Sequence, residues 1–126
     1  MRKRQYFDKE WKQRTFRIRE EAIEIYTYLE YKAVAGGLSK YALFDKIVEE
    51  SITDILKNNP PISIKDFNSK REVKGFTIST EIEEILEKLI GINDLGKGEV
   101  VEILIGLYAK NNLTEEELKS LKTYLY

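Results

Sequence analysis

The sequence lacks the two residue types that carry most thiol and imidazole chemistry, because it has no cysteine and no histidine. Without cysteine there are no disulfides and no thiolate metal ligands, and without histidine the commonest general base is missing. The acidic clusters at the expected helix starts, such as Glu20 and Glu21, are explained by helix electrostatics rather than by metal binding. We therefore expect that this chain is not an enzyme and that it uses no metal and no cofactor.

Long apolar runs are also missing. None approaches the ~18 residues that a membrane-spanning helix needs. The basic N-terminal segment has no apolar stretch of the kind found in secretory signals. The sequence therefore predicts a soluble cytoplasmic protein with no membrane partner.

Charge is present in quantity but is unevenly distributed. The chain of 126 residues is 42% hydrophobic and 34% charged, with a net charge of −1, a composition that suits one domain with a modest core. Residues 1–19 carry eight cations against only Asp8 and Glu10, whereas the rest of the chain is acidic. A basic end on an acidic chain is typical of an edge that contacts a polyanion. Few Gln and Met residues beside abundant Lys, Glu and Ile favour a heat-loving source.

Two parts of the chain repeat one pattern. Residues 15–19 (TFRIR) alternate polar and apolar side chains and predict a strand, and residues 75–79 (GFTIS) do the same. Each run is followed by a helical pattern, a glycine-containing break and a second helical pattern. Phe16 and Phe76 are 60 positions apart, and we match Gly37 with Gly96 at an offset of 59. The sequence thus predicts two strand–helix–helix units.

Helix starts are marked by capping residues. Ser39 is a suitable N-cap for the second helix. Thr80 with Glu83, and Thr114 with Glu117, have the spacing of capping boxes. Gly96-Lys97-Gly98 is too short for a nucleotide-binding loop and has no strand before it.

A single strand in each unit must find a partner, because a lone strand leaves its backbone N–H and C=O groups unpaired. We expect the two strands to pair antiparallel in one ribbon. Phe16, Ile18, Phe76 and Ile78 would then face the helices. The outward residues would be Thr15, Arg17, Arg19, Gly75, Thr77 and Ser79.

These features resemble the ribbon-helix-helix family of Arc- and MetJ-type repressors. The turn Gly37-Leu38-Ser39-Lys40 resembles the turn that opens the second helix in that family. The tandem arrangement is similar to regulators of archaeal viruses and plasmids, which would place the protein in a host cytoplasm. The resemblance implies a mainly α fold in which two ribbon-helix-helix units form a pseudo-dimer with one short two-stranded antiparallel ribbon, plus a C-terminal helix.

The resemblance also implies sites. Paired strands of this family read base edges in the major groove of double-stranded DNA, which makes Thr15, Arg17, Arg19, Gly75, Thr77 and Ser79 the expected base-reading residues. The N-terminus of each second helix binds phosphate; the corresponding residues are Leu38, Ser39, Lys40, Lys97 and Gly98. Apart from the resemblance, the charge of Arg2, Lys3 and Arg4 makes them candidate phosphate contacts; the alternatives are a contact with the minor groove and a disordered tail. Glu99 departs from the family pattern and would repel phosphate, so we expect the first unit to dominate the affinity.

The expected organisation is a basic arm (1–12), a first unit (13–58), a connector (59–72), a second unit (73–112) and a C-terminal helix (113–126). The predicted function is a sequence-specific transcriptional regulator, more specifically a repressor, whose chains associate side by side along DNA. One chain would read an asymmetric site, because its two strands carry different side chains. The alternative is a protein-interaction module of the same fold, such as an antitoxin-like partner binder or an assembly scaffold. A third possibility is nonspecific DNA coating.

Overall fold

The computed structural model of the chain describes residues 10–57, 69–93 and 96–121, with backbone alone for 54–57 and 92–93. The described residues are mainly helical, with one two-stranded antiparallel sheet, as the sequence predicted. In chain order the elements are β1 (Trp11–Arg19), α1 (Glu20–Ala35), a 3-10 turn (Lys40–Ala42) leading into α2 (Leu43–Lys57), β2 (Arg71–Ser79), α3 (Thr80–Asn93), α4 (Lys97–Asn112) and α5 (Glu115–Ser120).

Each strand begins slightly before the unit boundary expected from the sequence, β1 at Trp11 and β2 at Arg71. The expected C-terminal helix is present as α5, over Glu115–Ser120. Most of the basic arm (1–9), most of the connector (58–68) and the last residues (122–126) lie outside the described residues.

Two of the three predicted caps are confirmed. The Ser39 side chain accepts a hydrogen bond from the backbone N–H of Tyr41 at 3.2 Å, at the start of the 3-10 turn. Thr114 and Glu117 form a reciprocal capping box at α5. These bonds satisfy backbone donors that have no partner in the first turn of a helix.

The predicted capping box at Thr80 is wrong. Helix α3 already begins at Thr80, and the residue before it, Ser79, accepts the hydrogen bond from the Ile82 N–H at 3.3 Å. The Thr80 hydroxyl instead donates to the Glu10 side chain at 2.9 Å, beside the start of β1. The cap moves by one residue because β2 passes into α3 without an intervening loop.

The chain contains two strand–helix–helix segments, the first made of β1, α1 and α2 and the second of β2, α3 and α4. The second segment is shorter than the first by more than the sequence comparison predicted. The N-caps of the two second helices are Ser39 and Gly96, 57 positions apart rather than the 59 expected in this region. Helix α1 has 16 residues and α3 has 14. The first segment therefore gains three residues in its first helix and turn, where Gly37 adopts a positive φ of 95° that favours glycine.

The core lies between the ribbon and the helices. Phe16 and Phe76 are neighbours across the ribbon, with ring centroids 5.9 Å apart, and Phe44 of α2 lies 4.7 Å from Phe76. Tyr26 of α1 meets Phe76 edge-on at 4.9 Å. Helix α4 is buried on all sides over residues 100–109, which is typical of a central helix.

Candidate nucleic-acid interface

The two strands pair along their whole length, with Thr15 directly opposite Gly75 at the centre. On either side of this central pair, Gln13 lies opposite Thr77 and Arg17 lies opposite Val73. Directly opposite residues of an antiparallel pair share one face of the sheet. The six residues therefore form one surface, which we call the outer face: Gln13, Thr15, Arg17, Val73, Gly75 and Thr77.

The alternation predicted from the sequence is confirmed at the middle of the ribbon. Ile18, Phe76 and Ile78 are buried on the inner side, and Phe16 packs against the same core. On the outer face, Thr15, Arg17 and Gly75 are exposed, and Thr77 is half-buried. The central part of the ribbon thus has an apolar side held by the helices and a largely polar side open to solvent.

At the end of β2 the alternation fails. Ser79 was expected to face outward, but it is only 1% exposed. Its backbone N–H donates to the Asp45 carboxylate at 3.0 Å, and its hydroxyl oxygen caps α3. Because the strand turns directly into a helix at this point, the side chain is enclosed by the helix start rather than directed to solvent.

Arg19, the equivalent residue at the end of β1, is half-buried and ion-paired. Its guanidinium lies 3.1 Å from the Glu102 carboxylate, and its backbone N–H donates to the same group at 2.6 Å. Arg71, opposite Arg19 in the ribbon, contacts Glu102 at 3.4 Å. The Glu102 side chain is fully buried, so these two arginines hold a carboxylate inside the protein.

Asp45 and Glu102 each accept a backbone N–H of a strand, at opposite ends of the ribbon. Asp45 belongs to α2 and accepts a backbone N–H from β2, whereas Glu102 belongs to α4 and accepts one from β1. Each second helix is therefore bonded to the strand of the other segment. These crossed bonds tie the two segments together at both ends of the ribbon.

Two more cations of β1 are neutralised at the far end. Lys12 and Arg14 both bind Glu83 of α3, at 3.2 Å and 2.5 Å. Hydrogen bonding from Arg14, together with Lys12, lowers the pKa of the Glu83 carboxyl below its usual range. Lys12 and Arg14 are thus committed to bonds within the protein.

Arg17 differs from the other cations of β1. In the part of the chain that the structure describes, Lys12, Arg14 and Arg19 are ion-paired with carboxylates and Arg17 has no ion pair. It is exposed on the outer face, next to the centre of the ribbon. Its charge and its hydrogen-bond donors are therefore available to a ligand.

Two outer-face residues were missed by the sequence reasoning. Gln13 is exposed and donates from its amide to the Thr77 hydroxyl at 2.8 Å. Val73 is 61% exposed although it is apolar. Both were detectable, because each has the same parity in its strand as the outward residues next to it. The expected strand starts were placed too late to include them.

The expected phosphate-binding residues flank the ribbon. The 3-10 turn that follows Leu38 and Ser39 and begins at Lys40 contacts β2, and α4, which begins at Lys97, packs against β1. Gly98 touches the backbone of Arg17 so closely that an added Cβ would overlap its carbonyl oxygen. Each helix start therefore lies beside the strand of the other segment.

The surroundings of these helix starts differ in charge. The Lys97 side chain is 64% exposed, with its ammonium 4.0 Å from the Glu87 carboxylate. Glu99 accepts the N–H of Gly96, at 3.4 Å, at the beginning of α4. Lys40 lies over the ring of Tyr41, 5.3 Å from its centroid. Arg2, Lys3 and Arg4 are outside the described residues.

The described ranges lack two features that would point to other kinds of function. No group of three or more acidic side chains there converges on a point that would hold a metal ion. Nor does any helix within those ranges have the length and apolar character needed to cross a bilayer.

Comparisons with protein-family models, with curated proteins and with solved structures find no match to this chain.

Proposed function

We propose that this protein is a tandem ribbon-helix-helix regulator that binds double-stranded DNA, with two units of one chain forming a pseudo-dimer. In this proposal the outer face enters the major groove and reads base edges, and the bound protein acts as a repressor of transcription. Several chains bind side by side along the DNA.

The observation that carries the proposal is the outer face itself. A two-stranded ribbon fits the width of the major groove, about 12 Å. The centre of this ribbon presents Thr15, Arg17, Gln13 and Thr77, which offer hydrogen-bond donors and acceptors to base edges. Arg17 is unpaired within the described residues although the three other cations of β1 are paired. An exposed arginine on the outer face is suited to the guanine edge, which presents two acceptors.

The flanking helix starts support the same proposal. Helix N-termini with free backbone N–H groups are common phosphate-binding sites, and both lie beside the ribbon in this fold. We assign phosphate contacts to Leu38, Ser39 and Lys40 on one side and to Lys97 and Gly98 on the other. Glu99 occupies the backbone donor of Gly96, the N-cap of α4, and adds negative charge there, so the contacts around Ser39 contribute more to the affinity. Arg2, Lys3 and Arg4 complete the phosphate contacts of the proposal.

The test is selection of binding sites from a pool of random duplexes, followed by affinity measurements with variants. We expect an enriched sequence. Arg17→Ala should weaken binding to that sequence about ten- to a hundredfold and relax the preference for one guanine, because a bidentate arginine–guanine contact contributes about 1–3 kcal/mol of discrimination. Lys110→Ala is the matched control, since it removes a cation from an exposed position at the end of α4. It should change the affinity less than twofold.

Two results would favour other functions. Binding without any enriched sequence, and with affinity falling steeply with salt, would indicate nonspecific DNA coating. Absence of DNA binding would favour the protein-interaction module, for which α1 offers an exposed surface at Tyr31 (70% exposed) and Val34 (53% exposed). Substitutions of these two residues would then be tested for loss of partner binding.

A further inference from the structure

The two ends of the outer face are chemically different. A twofold rotation through the central Thr15–Gly75 pair would exchange Gln13 with Val73 and Arg17 with Thr77. A ribbon made of two identical strands presents the same residues at both ends after this rotation. Here one end places an arginine opposite a valine, and the other places an amide opposite a hydroxyl. The ribbon therefore has a direction that a symmetric ribbon lacks.

At the first end, Arg17 and Val73 lie directly opposite each other. The arginine has only donors and suits the two acceptors of guanine, N7 and O6. The valine is 61% exposed on a face whose other side chains are polar. In the major groove the apolar group available for contact is the C5-methyl of thymine. Because directly opposite Cβ atoms are about 4.5–5.5 Å apart, the guanine and the thymine must be close neighbours.

At the second end, Gln13 and Thr77 act as a unit, because the Gln13 amide donates to the Thr77 hydroxyl oxygen at 2.8 Å. The pair retains an acceptor on the glutamine carbonyl oxygen, and donors on its amide and on the hydroxyl. Adenine presents one donor and one acceptor in the major groove and is the usual partner of glutamine. This end therefore suits adenine, which can use both the acceptor and a donor of the pair, better than guanine, which can use only the donors.

The centre of the ribbon has no reading side chain on β2, because Gly75 stands opposite Thr15. An added Cβ at Gly75 would meet no protein atom within 4 Å, so this glycine is not required by packing inside the chain. It leaves a gap on the outer face through which the ribbon backbone can approach the bases. The two ends are then separated by four residues of strand, about 13–14 Å, or about four base pairs at ~3.4 Å each.

We infer that one chain reads a non-palindromic element of about four base pairs, with a guanine next to a thymine methyl at the Arg17–Val73 end and an adenine at the Gln13–Thr77 end. This inference rests on the proposed function. It specifies the DNA that the same site recognises and assigns Val73 and Gln13 as specificity-determining residues.

The experiment starts from the enriched duplex and replaces single bases by analogues that remove one group each. Deoxyuridine in place of thymidine removes the C5-methyl, and 7-deazaguanine in place of guanine removes the N7 acceptor. We expect one thymine whose replacement weakens binding about fourfold, the effect of losing one methylene-sized apolar contact. We expect one guanine, within about two base pairs of that thymine, whose replacement weakens binding about tenfold or more.

Variants connect each base to its residue. Val73→Ser removes both γ-methyl groups of valine at a position that is 61% exposed, so thermal unfolding should change little. This variant should lose the sensitivity to deoxyuridine while keeping the sensitivity to 7-deazaguanine. Arg17→Ala should show the reverse. Gln13→Ala should relax the preference for adenine at the other end, about four base pairs away.

The outcomes separate the inference from the proposed function. If no sequence is enriched, both are wrong. If a sequence is enriched but the element that one chain occupies is itself a palindrome, or if the sensitive guanine and thymine lie at opposite ends of that element, the chain binds DNA as proposed and the inference is wrong. Equal deoxyuridine sensitivity in wild type and Val73→Ser would also overturn the assignment of Val73.

Discussion

Gly98 lies where α4 passes the backbone of β1, and its lack of a side chain allows the contact. An added Cβ would overlap the carbonyl oxygen of Arg17, a backbone atom that has little freedom to move within a paired strand. The glycine therefore fixes the distance between the start of α4 and the outer face. It serves the close approach of two backbones rather than a turn.

We predict that Gly98→Ala lowers the free energy of unfolding by about 1–3 kcal/mol, the usual effect of forcing atoms into a filled space. The measurement is urea denaturation followed by circular dichroism. Gly91→Ala is the matched control, because Gly91 is an exposed residue of α3 with nothing within 4 Å of an added Cβ. It should raise the stability by about 0.5–1 kcal/mol, since alanine favours a helix more than glycine does. Similar effects at both positions would contradict the packing assigned to Gly98.

Individual residues show which side-chain orientations could be predicted from the sequence and which could not. Alternation correctly predicts that Phe16 and Phe76 face inward and that Arg17 and Thr15 are exposed, because a strand in the middle of a ribbon imposes a period of two. It fails at Ser79, because burial there depends on the helix that begins at the next residue. Ser79 is also bonded to Asp45, which is 34 positions away in the chain, and the local sequence around Ser79 gives no indication of this bond.

The secondary-structure elements are held to one another by a few polar bonds at their ends. Asp45 of α2 and Glu102 of α4 accept backbone N–H groups from the final residues of β2 and β1. Glu102 is also paired with Arg19 and Arg71. A fully buried carboxylate with two arginine partners is costly to disrupt, because removing one side leaves uncompensated charge inside the protein.

We predict that Glu102→Ala destabilises the fold by about 3–5 kcal/mol, because it leaves both arginines and the Arg19 N–H without their acceptor. Chemical denaturation measures the loss. Glu84→Ala serves as the control, as this glutamate is exposed on α3, and its effect should stay within about 0.5 kcal/mol. A small effect at Glu102 would show that the ribbon ends do not depend on this bond.

A second junction joins α5 to α1. Glu117 of α5 lies 2.7 Å from the Lys32 ammonium and accepts the Tyr28 hydroxyl at 2.6 Å and the Thr114 N–H at 2.9 Å. The hydrogen bond with Lys32, aided by those with Thr114 and Tyr28, lowers the pKa of Glu117 to about 2 from 4.5. The charged carboxylate is thus the form that the folded protein favours.

This pKa shift predicts how stability depends on pH. Because the pKa of Glu117 is lower in the folded state, its contribution is complete above about 4.5 and is lost as the pH falls toward about 2. Wild type should therefore be more stable than Glu117→Gln at pH 7, and the two should converge in acid. Glu116→Gln, on the exposed side of α5, is the control, and low salt avoids screening of this surface pair. A difference that does not change with pH would contradict the assignment.

Element order and type follow from the sequence more reliably than element ends. Strong apolar periodicity predicts α1, α2, α3 and α4, and confirmed N-caps at Ser39 and Thr114 place two helix starts correctly. The sequence comparison matched glycines of the two inter-helix turns, Gly37 with Gly96, instead of the N-cap residues. It therefore gave a spacing of 59 positions between the two second helices, whereas their N-caps are 57 positions apart. Local patterns do not predict which strand each second helix packs against, because those contacts join residues that are far apart in the chain.

The molecule as a whole closes its ribbon within one chain. β1 and β2 belong to segments joined by residues 58–70, and their pairing gives each strand a partner without a second molecule. A linked partner has a high effective concentration, which favours pairing within the chain. The different residues on the two strands then always meet in the same combination, on which the proposed asymmetric reading of DNA depends.

Because the protein has no native cysteine, this closure can be tested with an introduced disulfide. We predict that Thr15→Cys with Gly75→Cys, the central opposite pair, oxidises to a bridge within one chain of 14.8 kDa. Opposite Cα atoms about 4.5–5.5 Å apart meet the geometric requirement. Thr15→Cys with Thr77→Cys, a diagonal pair about 7–8 Å apart, should oxidise less readily. Disulfide-linked dimers on a non-reducing gel would instead show that strands pair between chains.

The central claim is that the outer face of the ribbon is the surface that contacts DNA. It is tested most directly by titrating the isotopically labelled protein with the selected duplex and following its amide resonances by NMR. The largest shifts should belong to Gln13, Thr15, Arg17, Val73 and Thr77, with smaller shifts at the starts of the 3-10 turn and α4. Shifts concentrated around Tyr31 and Val34, with the ribbon unaffected, would contradict the claim.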